Sequence, residues 1–574
     1  MQQEGRTREH GWATRFLPIL TWAPAYDRRW LRADVIAGIT VATLVIPKAL
    51  GYAGIANVPL EHGLYAAALG AIVYAIFGTA RQIATGPSSS LAAVAGSALA
   101  LSNIADPADQ VAFIATVAVV VGILFVLIAL FQLGWISQFV SRAVIVGFLS
   151  GAALDVTIGE LKRLTGTTAK GDNSWQEFWS WLGGLDAIHG TTLLVGGTAL
   201  AALVVLRIFA RGLPGTLVVV AAGLILSPLL DLGDRGVALV GDVPRGVPTP
   251  VLPDVGLALD HFVAVGAASF AIVMIGFSQS AGYARMFATR HGYRIDINQE
   301  SLAQGAANIG SGLFQGIPVS TSLSASSLND RAGAKSQVAS LVTGVITVVG
   351  MLTFATLISS LPTPVLGAII IEAVIFGMLD IRELRRLFRI QRADFWIAIA
   401  ALTGVLLSGV LTGILIGVVL SVGWLIRTVT SPAMPQLGRA PGTQVFQELD
   451  TYPDGEQYPG ILIVRLEGGL FFATADALGD RLRELVLTSP TPIWGAVLDC
   501  QSITFSDSQG SAQLKELIGL ANVRGIDVRL ARVKPNVFAL LERDGVVQQL
   551  GADHFSANVY AAVESLLATR EVVH

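Results

Sequence analysis

The feature that most constrains this chain is an uncharged stretch, residues 301–329, which is apolar enough for a lipid bilayer but is interrupted by a proline and several hydroxyl side chains. Pro318 has no backbone N–H group and a fixed φ angle, so it is disfavoured inside a helix and favoured at a helix start. We therefore predict a helix that begins at Pro318, in the middle of the membrane. Its free N–H groups and positive dipole end suit an anion. The residues expected to provide donors there are Val319, Ser320, Thr321, Ser322 and Ser324.

A second copy of this pattern lies upstream, in the uncharged residues 82–105. Pro87 precedes three serines and a short apolar helix predicted over 91–101, and the serines are Ser88, Ser89 and Ser90. The two prolines are 231 positions apart (318 − 87), and the same offset relates Lys48 to Gln279. A single Gly-Pro-Ser sequence is commonly a kink or a surface loop. Two copies in register indicate a duplicated unit, and paired interrupted helices are the best sequence indication of a transporter's binding site.

The composition agrees with a membrane protein. Of 574 residues, 53% are hydrophobic and 14% are charged, and the mean hydropathy is +0.64; soluble domains have about 25% charged residues. The net charge of −3 argues against a nucleic-acid partner, and the single cysteine, Cys500, excludes an intramolecular disulfide. His291, His554 and Cys500 lack the spacing of metal ligands, and no catalytic triad or phosphate-binding loop is found. We therefore expect no enzyme, no metal and no cofactor.

The apolar runs predict seven membrane crossings in each half of the chain, with residues 395–426 forming two crossings that Gly409 and Gly413 separate. An odd number in each half gives the two repeats opposite orientations, which is the design of alternating-access carriers. Basic connections at 285–294 and 382–392 belong in the cytoplasm, so both termini are expected there. The predicted runs are 35–56, 63–77, 89–101, 111–132, 143–159, 191–208, 213–230, 262–284, 301–313, 318–328, 338–359, 364–379 and the double run 395–426.

The chain divides into four predicted parts. These are a cytoplasmic N-terminal segment (1–30), a transport domain (31–430, with repeats at about 31–235 and 258–430), a Pro- and Gly-rich linker (431–445) and a soluble α/β domain (446–574). In the last part, strands are expected at 461–466, 493–499 and 527–531, and helices at 474–487, 511–522 and 536–544. Asp507 has the position of a helix N-cap, which predicts an anion-friendly helix terminus.

Several short motifs then identify a family. In the membrane part they are Asp34-Val-Ile-Ala-Gly-Ile-Thr-Val-Ala42, Pro47, Tyr52-Ala53, Gly63-Leu-Tyr65, Gly86-Pro87-Ser88, Asn298-Gln-Glu300 and Gly316-Ile-Pro-Val319, and in the tail Leu470-Phe-Phe-Ala473, Asp499 and Asp507-Ser508-x-Gly510. With these motifs the chain resembles the sulfate permease family of anion transporters, and the tail resembles its STAS domain. The resemblance implies a polytopic α-helical membrane protein with 14 crossings in a 7+7 inverted repeat. It also implies a core domain that moves against a gate domain, a homodimer, and an anion bound between the third and tenth helices.

The chain departs from this family at its charged positions. Many relatives have Gln or Glu at Lys48, an acid at Gln279, and an arginine directly after the serine at Ser324. The positive charge of the site has therefore moved to Lys48, and a substrate-facing lysine is favoured over one that snorkels or pairs with an acid such as Asp155. Because position 279 is a neutral glutamine, coupling to sodium or protons would need another acidic residue within the membrane. The candidates are Asp155, Glu160 and Glu372, although Glu160 is equally consistent with a helix-end position beside Lys162 and Arg163.

The sequence thus predicts a secondary active transporter of an inorganic oxyanion in the inner or plasma membrane, with sulfate first and bicarbonate second. Co-transport of Na⁺ or H⁺ remains open. The alternatives are transport of an organic dicarboxylate or a nucleobase by the same fold, or a membrane anchor for a signalling STAS domain. A nucleobase carrier is expected to need a carboxylate where this chain has Gln279. For the tail itself, a structural or trafficking role is favoured over nucleotide or partner binding.

Overall fold

The computed structural model describes residues 17–133, 141–171, 173–210, 215–241, 246 and 248–573, without the side chains of 354–358 and 571–573. Most of the predicted N-terminal segment, residues 1–16, lies outside the described residues, as does the start of the predicted run 213–230. The chain forms two compact units, one ending at Ser421 and the other beginning at Val422.

The first unit is helical apart from two short strands. Before the midpoint its elements are α1 (Ile19–Trp22), α2 (Leu31–Ile55), α3 (Glu61–Phe77), β1 (Thr85–Pro87), α4 (Ser89–Ser102), α5 (Pro107–Leu130), α6 (Arg142–Thr165), α7 (Ser174–Gly183), α8 (Gly190–Phe209) and α9 (Gly215–Leu229). After it come α10 (Val255–Asp260), α11 (Phe262–His291), α12 (Ile297–Leu313), β2 (Val319–Thr321), α13 (Leu323–Arg331), α14 (Val338–Ile358), α15 (Thr363–Met378), α16 (Ile381–Ile390), α17 (Arg392–Ser408) and α18 (Val410–Val429). The last residues of α18, from Val422, belong to the second unit.

These helices pack in two groups. The first contains α2, α3, α4, α5, α11, α12, α13 and α14, and the second contains α6, α8, α9, α15 and α17, with contacts from α2 to α15 and to α9 joining them. Helices α5 and α12 approach closely because glycines line their interface. A Cβ atom added to Gly122 would lie 2.7 Å from the carbonyl oxygen of Gly305, and one added to Gly312 would lie 2.5 Å from the carbonyl oxygen of Ala115. Small residues allow membrane helices this approach.

The predicted crossings correspond well to the helices. The run 395–426 divides as expected, since α17 ends at Ser408 and Gly409 has φ +86°. Seven of the described helices are long and apolar enough to cross a membrane, and four more apolar helices are shorter. The count of fourteen crossings therefore stays a prediction. Among the helices that were not predicted from the sequence, α7 and α16 follow α6 and α15 as short amphipathic segments.

The second unit is an α/β domain with a four-stranded parallel sheet of order β5-β6-β7-β8. Its elements are β3 (Leu437–Arg439), β4 (Phe446–Glu448), β5 (Ile461–Arg465), α19 (Ala475–Leu487), β6 (Gly495–Asp499), α20 (Ser508–Val523), β7 (Asp527–Ala531), α21 (Pro535–Arg543), α22 (Val546–Leu550), β8 (Phe555–Ser556) and α23 (Val559–Val573). The three predicted strands and three predicted helices are confirmed. Strand β3 lies inside the predicted linker and pairs with β4.

Candidate functional site

The two interrupted segments meet in space. Strands β1 and β2 pair antiparallel, with Thr85 opposite Thr321, Gly86 opposite Ser320 and Pro87 opposite Val319. Each strand leads directly into a half-helix, β1 into α4 and β2 into α13. Since one strand comes from each half of the chain and the pair is antiparallel, the geometry agrees with repeats of opposite orientation.

The downstream helix begins later than predicted. Its first residue is Leu323 rather than Pro318, because residues 319–321 are extended and pair with β1. Ser322 is the N-cap residue, and its hydroxyl accepts a hydrogen bond from the N–H group of Ala325 at 3.3 Å. In the upstream copy Ser88 caps α4, accepting from the N–H group of Leu91 at 3.4 Å. The prediction of a helix starting at Pro318 is therefore wrong, whereas the upstream start is where the serines indicated it.

Two amides on α12 hold the strands. The Gln304 amide donates to the hydroxyls of Thr85 and Thr321 at 3.0 and 2.9 Å. One turn further along, Asn308 donates to the carbonyl of Val319 at 2.8 Å and accepts from its N–H group at 2.9 Å. Both side chains are buried. This network fixes the position of the two half-helix ends relative to each other.

Four of the predicted site residues line one small pocket of about 20 Å³: Lys48, Pro87, Ser322 and Ser324. Tyr52 lies on the same wall. Helix α2 therefore brings its lysine to the ends of both half-helices. A cation, hydroxyl donors and two helix N-termini make an arrangement suited to a small oxyanion.

The other predicted residues surround this pocket without lining it; they are Ser88, Ser89, Ser90, Gln279, Pro318, Val319, Ser320 and Thr321. The Gln279 amide lies 3.5 Å from the hydroxyl of Ser90, so it joins α11 to the first turn of α4. Thr321 donates to the hydroxyl of Ser280 at 3.0 Å. The Ser320 hydroxyl is buried and has no hydrogen-bond partner among the described residues.

A larger cavity of about 570 Å³ shares Lys48 and Ser324 with the pocket. It lies between the two helix groups, with α2 and α13 on one side and α8, α9 and α15 on the other. Its charged lining residues are Lys48, Arg207, Arg331 and Glu372. The carboxylate of Glu372 is paired with Arg207, and Lys48 forms no ion pair with any described residue.

The three acids predicted for coupling have different surroundings. Asp155 accepts a hydrogen bond from the Ser174 hydroxyl, so the suggested pair of Lys48 with Asp155 is wrong. Glu160 pairs with Arg163 one turn away at 2.8 Å, which fits its helix-end interpretation. Of the three, Glu372 is the one that lines the cavity beside Lys48.

Four residues of the site were not predicted from the sequence: Gln304, Asn308, Arg207 and Arg331. Gln304 and Asn308 are four positions apart in an uncharged apolar segment, so their common helix face was a usable signal. Arg207 and Arg331 stand at the edges of apolar runs, where a membrane-surface position is the ordinary interpretation of an arginine.

In the C-terminal unit, the helix terminus predicted to favour anions is occupied by the chain's own carboxylate. Asp507 accepts from the N–H groups of Gly510 at 2.8 Å and Phe472 at 3.0 Å. Burial acts to raise the pKa of Asp507, but these backbone hydrogen bonds outweigh it and hold the pKa below its usual value. Among the described residues, no group of three acidic, histidine or cysteine side chains is placed to hold a metal.

Comparisons with known proteins agree with this architecture. Residues 31–401 match the sulfate permease family, and residues 452–565 match the STAS domain. A "probable sulfate transporter" of Mycobacterium tuberculosis is 33% identical over 96% of this chain and 99% of its own length. The chloroplastic sulfate transporter 4.1 of Arabidopsis thaliana is 30% identical over 98% of this chain and 84% of its own.

Solved structures share the fold. The murine anion transporter Slc26a9, solved in the inward-facing state, superimposes with a TM-score of 0.88 at 22% identity, covering 99% of this chain and 96% of that one. The transmembrane domain of a cyanobacterial bicarbonate transporter covers 69% of this chain and 99% of its own, with a TM-score of 0.61 at 20% identity.

Proposed function

We propose that this chain, which belongs to the sulfate permease family and carries a STAS domain, is a secondary active transporter that moves sulfate across a membrane. The family predicted from the sequence motifs is confirmed, and it is a family of transporters and not of enzymes. The relatives that match almost the full chain are named as sulfate transporters, which supports sulfate ahead of bicarbonate.

The observation that carries the proposal is the position of Lys48. Its ammonium group, unpaired among the described residues, lines one pocket together with the ends of the two half-helices at Pro87 and Ser322. An intramembrane cation that forms no ion pair is costly, which favours a bound anion as its partner. The N–H groups and hydroxyls at the helix ends replace the hydration shell of that anion.

Transport follows from the division of the helices into two groups. Lys48 and both half-helices belong to the first group, while Arg207 and Glu372 belong to the second. Because the cavity lies between the groups, a movement of one group against the other opens the pocket alternately to the two sides of the membrane. The chain acts as a multi-pass membrane protein, with cytoplasmic termini and a homodimeric assembly as parts of this proposal.

For the coupling ion, the proposal is a proton carried by Glu372. This carboxylate lines the cavity between the moving groups, whereas Asp155 and Glu160 line neither the cavity nor the pocket. Gln279 is neutral and hydrogen-bonded toward Ser90, so it provides no carboxylate for sodium. A proton that neutralises Glu372 removes the negative charge from the described cavity lining and so favours entry of the anion.

The experiment is uptake of labelled sulfate into proteoliposomes, with sodium and proton gradients imposed separately. We expect sulfate uptake that a proton gradient accelerates and a sodium gradient leaves unchanged. If the protein takes up bicarbonate, an organic dicarboxylate or a nucleobase but not sulfate, the assignment of sulfate is wrong and the transported compound is the substrate. Folded protein that takes up none of these compounds contradicts the transporter and favours a membrane-anchored signalling protein.

A further inference from the structure

The cavity between the two helix groups carries more positive charge than the central pocket needs. Three cations line it, Lys48, Arg207 and Arg331, against the one carboxylate of Glu372, which leaves a surplus of two positive charges. Lys48 and Arg331 form no ion pair with a described residue, and Glu372 is paired with Arg207. A surplus of two charges matches a dianion better than a monovalent anion.

Arg207 is positioned to bind a second partner. Its Nη1 group donates to Glu372, and its guanidinium lies 4.4 Å from the centre of the Phe376 ring. The Nε and Nη2 donors have no acceptor among the described residues. The side chain is 44% exposed while that of Glu372 is 7% exposed, so the carboxylate anchors the guanidinium from the buried side. A guanidinium held in this way presents its free edge to an oxyanion with little loss of side-chain freedom.

Arg331 is an exposed residue of the cavity lining on α13. It is the last residue of that helix. The preceding residue, Asp330, pairs with Arg290 at 2.9 Å and with His291 at 2.7 Å, and both partners end helix α11. Since the basic connection 285–294 is predicted to be cytoplasmic, we place the Arg331 end of the cavity on the cytoplasmic side.

We propose that Arg207 and Arg331 form a second anion-binding station in this cavity, which holds a dianionic oxyanion on the cytoplasmic side of Lys48 and Ser324. The station rests on the proposed function, because it acts on the same substrate along the same route. Ser324 and Lys48 line both the cavity and the pocket, so an anion passes from one site to the other without leaving the positive lining. The second station lowers the concentration of sulfate needed for binding from the cytoplasmic side.

The test measures sulfate transport from each side of the membrane. Initial rates of labelled sulfate uptake are compared between inside-out vesicles, which present the cytoplasmic face, and intact cells. The variants are Arg207→Gln and Arg331→Gln. The control is Arg285→Gln, which removes an exposed arginine that forms no ion pair with a described residue and lies outside the cavity lining.

We expect both cavity variants to raise the half-saturating sulfate concentration in inside-out vesicles about tenfold, since each removes charge-assisted hydrogen bonds. The half-saturating concentration in intact cells should change by less than about twofold, and Arg285→Gln should match the wild type on both sides. If Arg207→Gln does not fold, Arg207→Lys keeps the charge without the fork of donors and should show a smaller shift in the same direction.

The two proposals fail in different ways. A wild-type protein that transports sulfate while both cavity variants leave the cytoplasmic-side value unchanged overturns the station alone. Equal shifts on both sides of the membrane also overturn it, because they indicate a general loss of the central site. A folded wild-type protein that moves no sulfate from either side overturns the proposed function, and the station falls with it.

Discussion

The hydroxyl groups of Thr85 and Thr321, one from each half of the membrane unit, accept hydrogen bonds from a single amide, that of Gln304, at 3.0 and 2.9 Å. The two threonines are also directly opposite each other in the β1–β2 pair. One side chain therefore couples the two repeats at the point where their half-helices begin. The relative position of the two half-helix ends depends on this coupling.

Replacing this amide should separate the two halves of the site. Gln304→Leu removes the donor to both buried hydroxyls. The Thr321 hydroxyl keeps its bond to Ser280, whereas the Thr85 hydroxyl is left unsatisfied, at a cost of about 1–3 kcal/mol in the free energy of unfolding. We expect a lower melting temperature and strongly reduced sulfate uptake. Gln110→Leu is the control, because it removes the hydrogen bond that another glutamine amide donates, to the backbone carbonyl of Ile104, away from the site. Equal behaviour of the two variants contradicts the role given to Gln304.

The two repeats differ in the space around their glycines. A Cβ atom added to Gly316 would lie 2.4 Å from the Ser311 hydroxyl oxygen and 2.9 Å from the backbone nitrogen of Ala66. A Cβ atom added to Gly86 would have no neighbour within 4 Å. We expect Gly316→Ala to lower the free energy of unfolding by about 1–3 kcal/mol through overpacking. Gly86→Ala should keep wild-type stability. Thermal unfolding of the purified variants in detergent measures the difference, and equal stability of the two contradicts the close packing of Gly316.

Glu372 should determine the dependence on a proton gradient. With Glu372→Gln the carboxylate can no longer take up or release a proton, so sulfate uptake should become insensitive to the gradient. Asp155→Asn and Glu160→Gln are matched controls, since neither acid lines the cavity, and they should keep the response. The measurement is the ratio of uptake rates with and without an inward proton gradient. A response that survives in Glu372→Gln and disappears in one of the controls assigns the coupling to that acid instead.

Cys500 gives an independent test of the C-terminal unit. Burial, aided by the neighbouring charge of Asp499, raises the pKa of its thiol to about 12. The thiol therefore stays protonated at neutral pH, and the reactive thiolate becomes populated only as the pH approaches that value. We expect no labelling by a maleimide in the folded protein and complete labelling in denaturant, as measured by mass spectrometry. Stoichiometric labelling of the native protein contradicts the buried position.

The sequence predicted those parts of the fold that have local signals. Apolar length indicated the helices, Gly409 indicated the break between α17 and α18, and Pro87 with its serines indicated the start of α4. The downstream start was wrong because the extended conformation of 319–321 depends on pairing with residues far away in the sequence. A proline shows only that a helix can start there, and it gives no information about a strand partner elsewhere in the chain.

The pairing of charges was less predictable than their presence. The sequence indicated that Lys48, Asp155 and Glu372 need partners, but the suggested pair of Lys48 with Asp155 is not formed. Glu372 pairs instead with Arg207, 165 positions away. An ion pair between two helices depends on their rotation and depth, which one sequence without an alignment does not define.

Binding of the transported anion by Lys48 is tested by labelled sulfate uptake into proteoliposomes that contain the purified protein. The wild type is compared with Lys48→Gln, which removes the charge, and Lys48→Arg, which keeps it. We predict that Lys48→Gln is folded, as shown by size-exclusion chromatography and an unchanged melting temperature, but takes up no sulfate, while Lys48→Arg retains measurable uptake. Wild-type uptake in folded Lys48→Gln contradicts the account, because the anion site then does not depend on this charge.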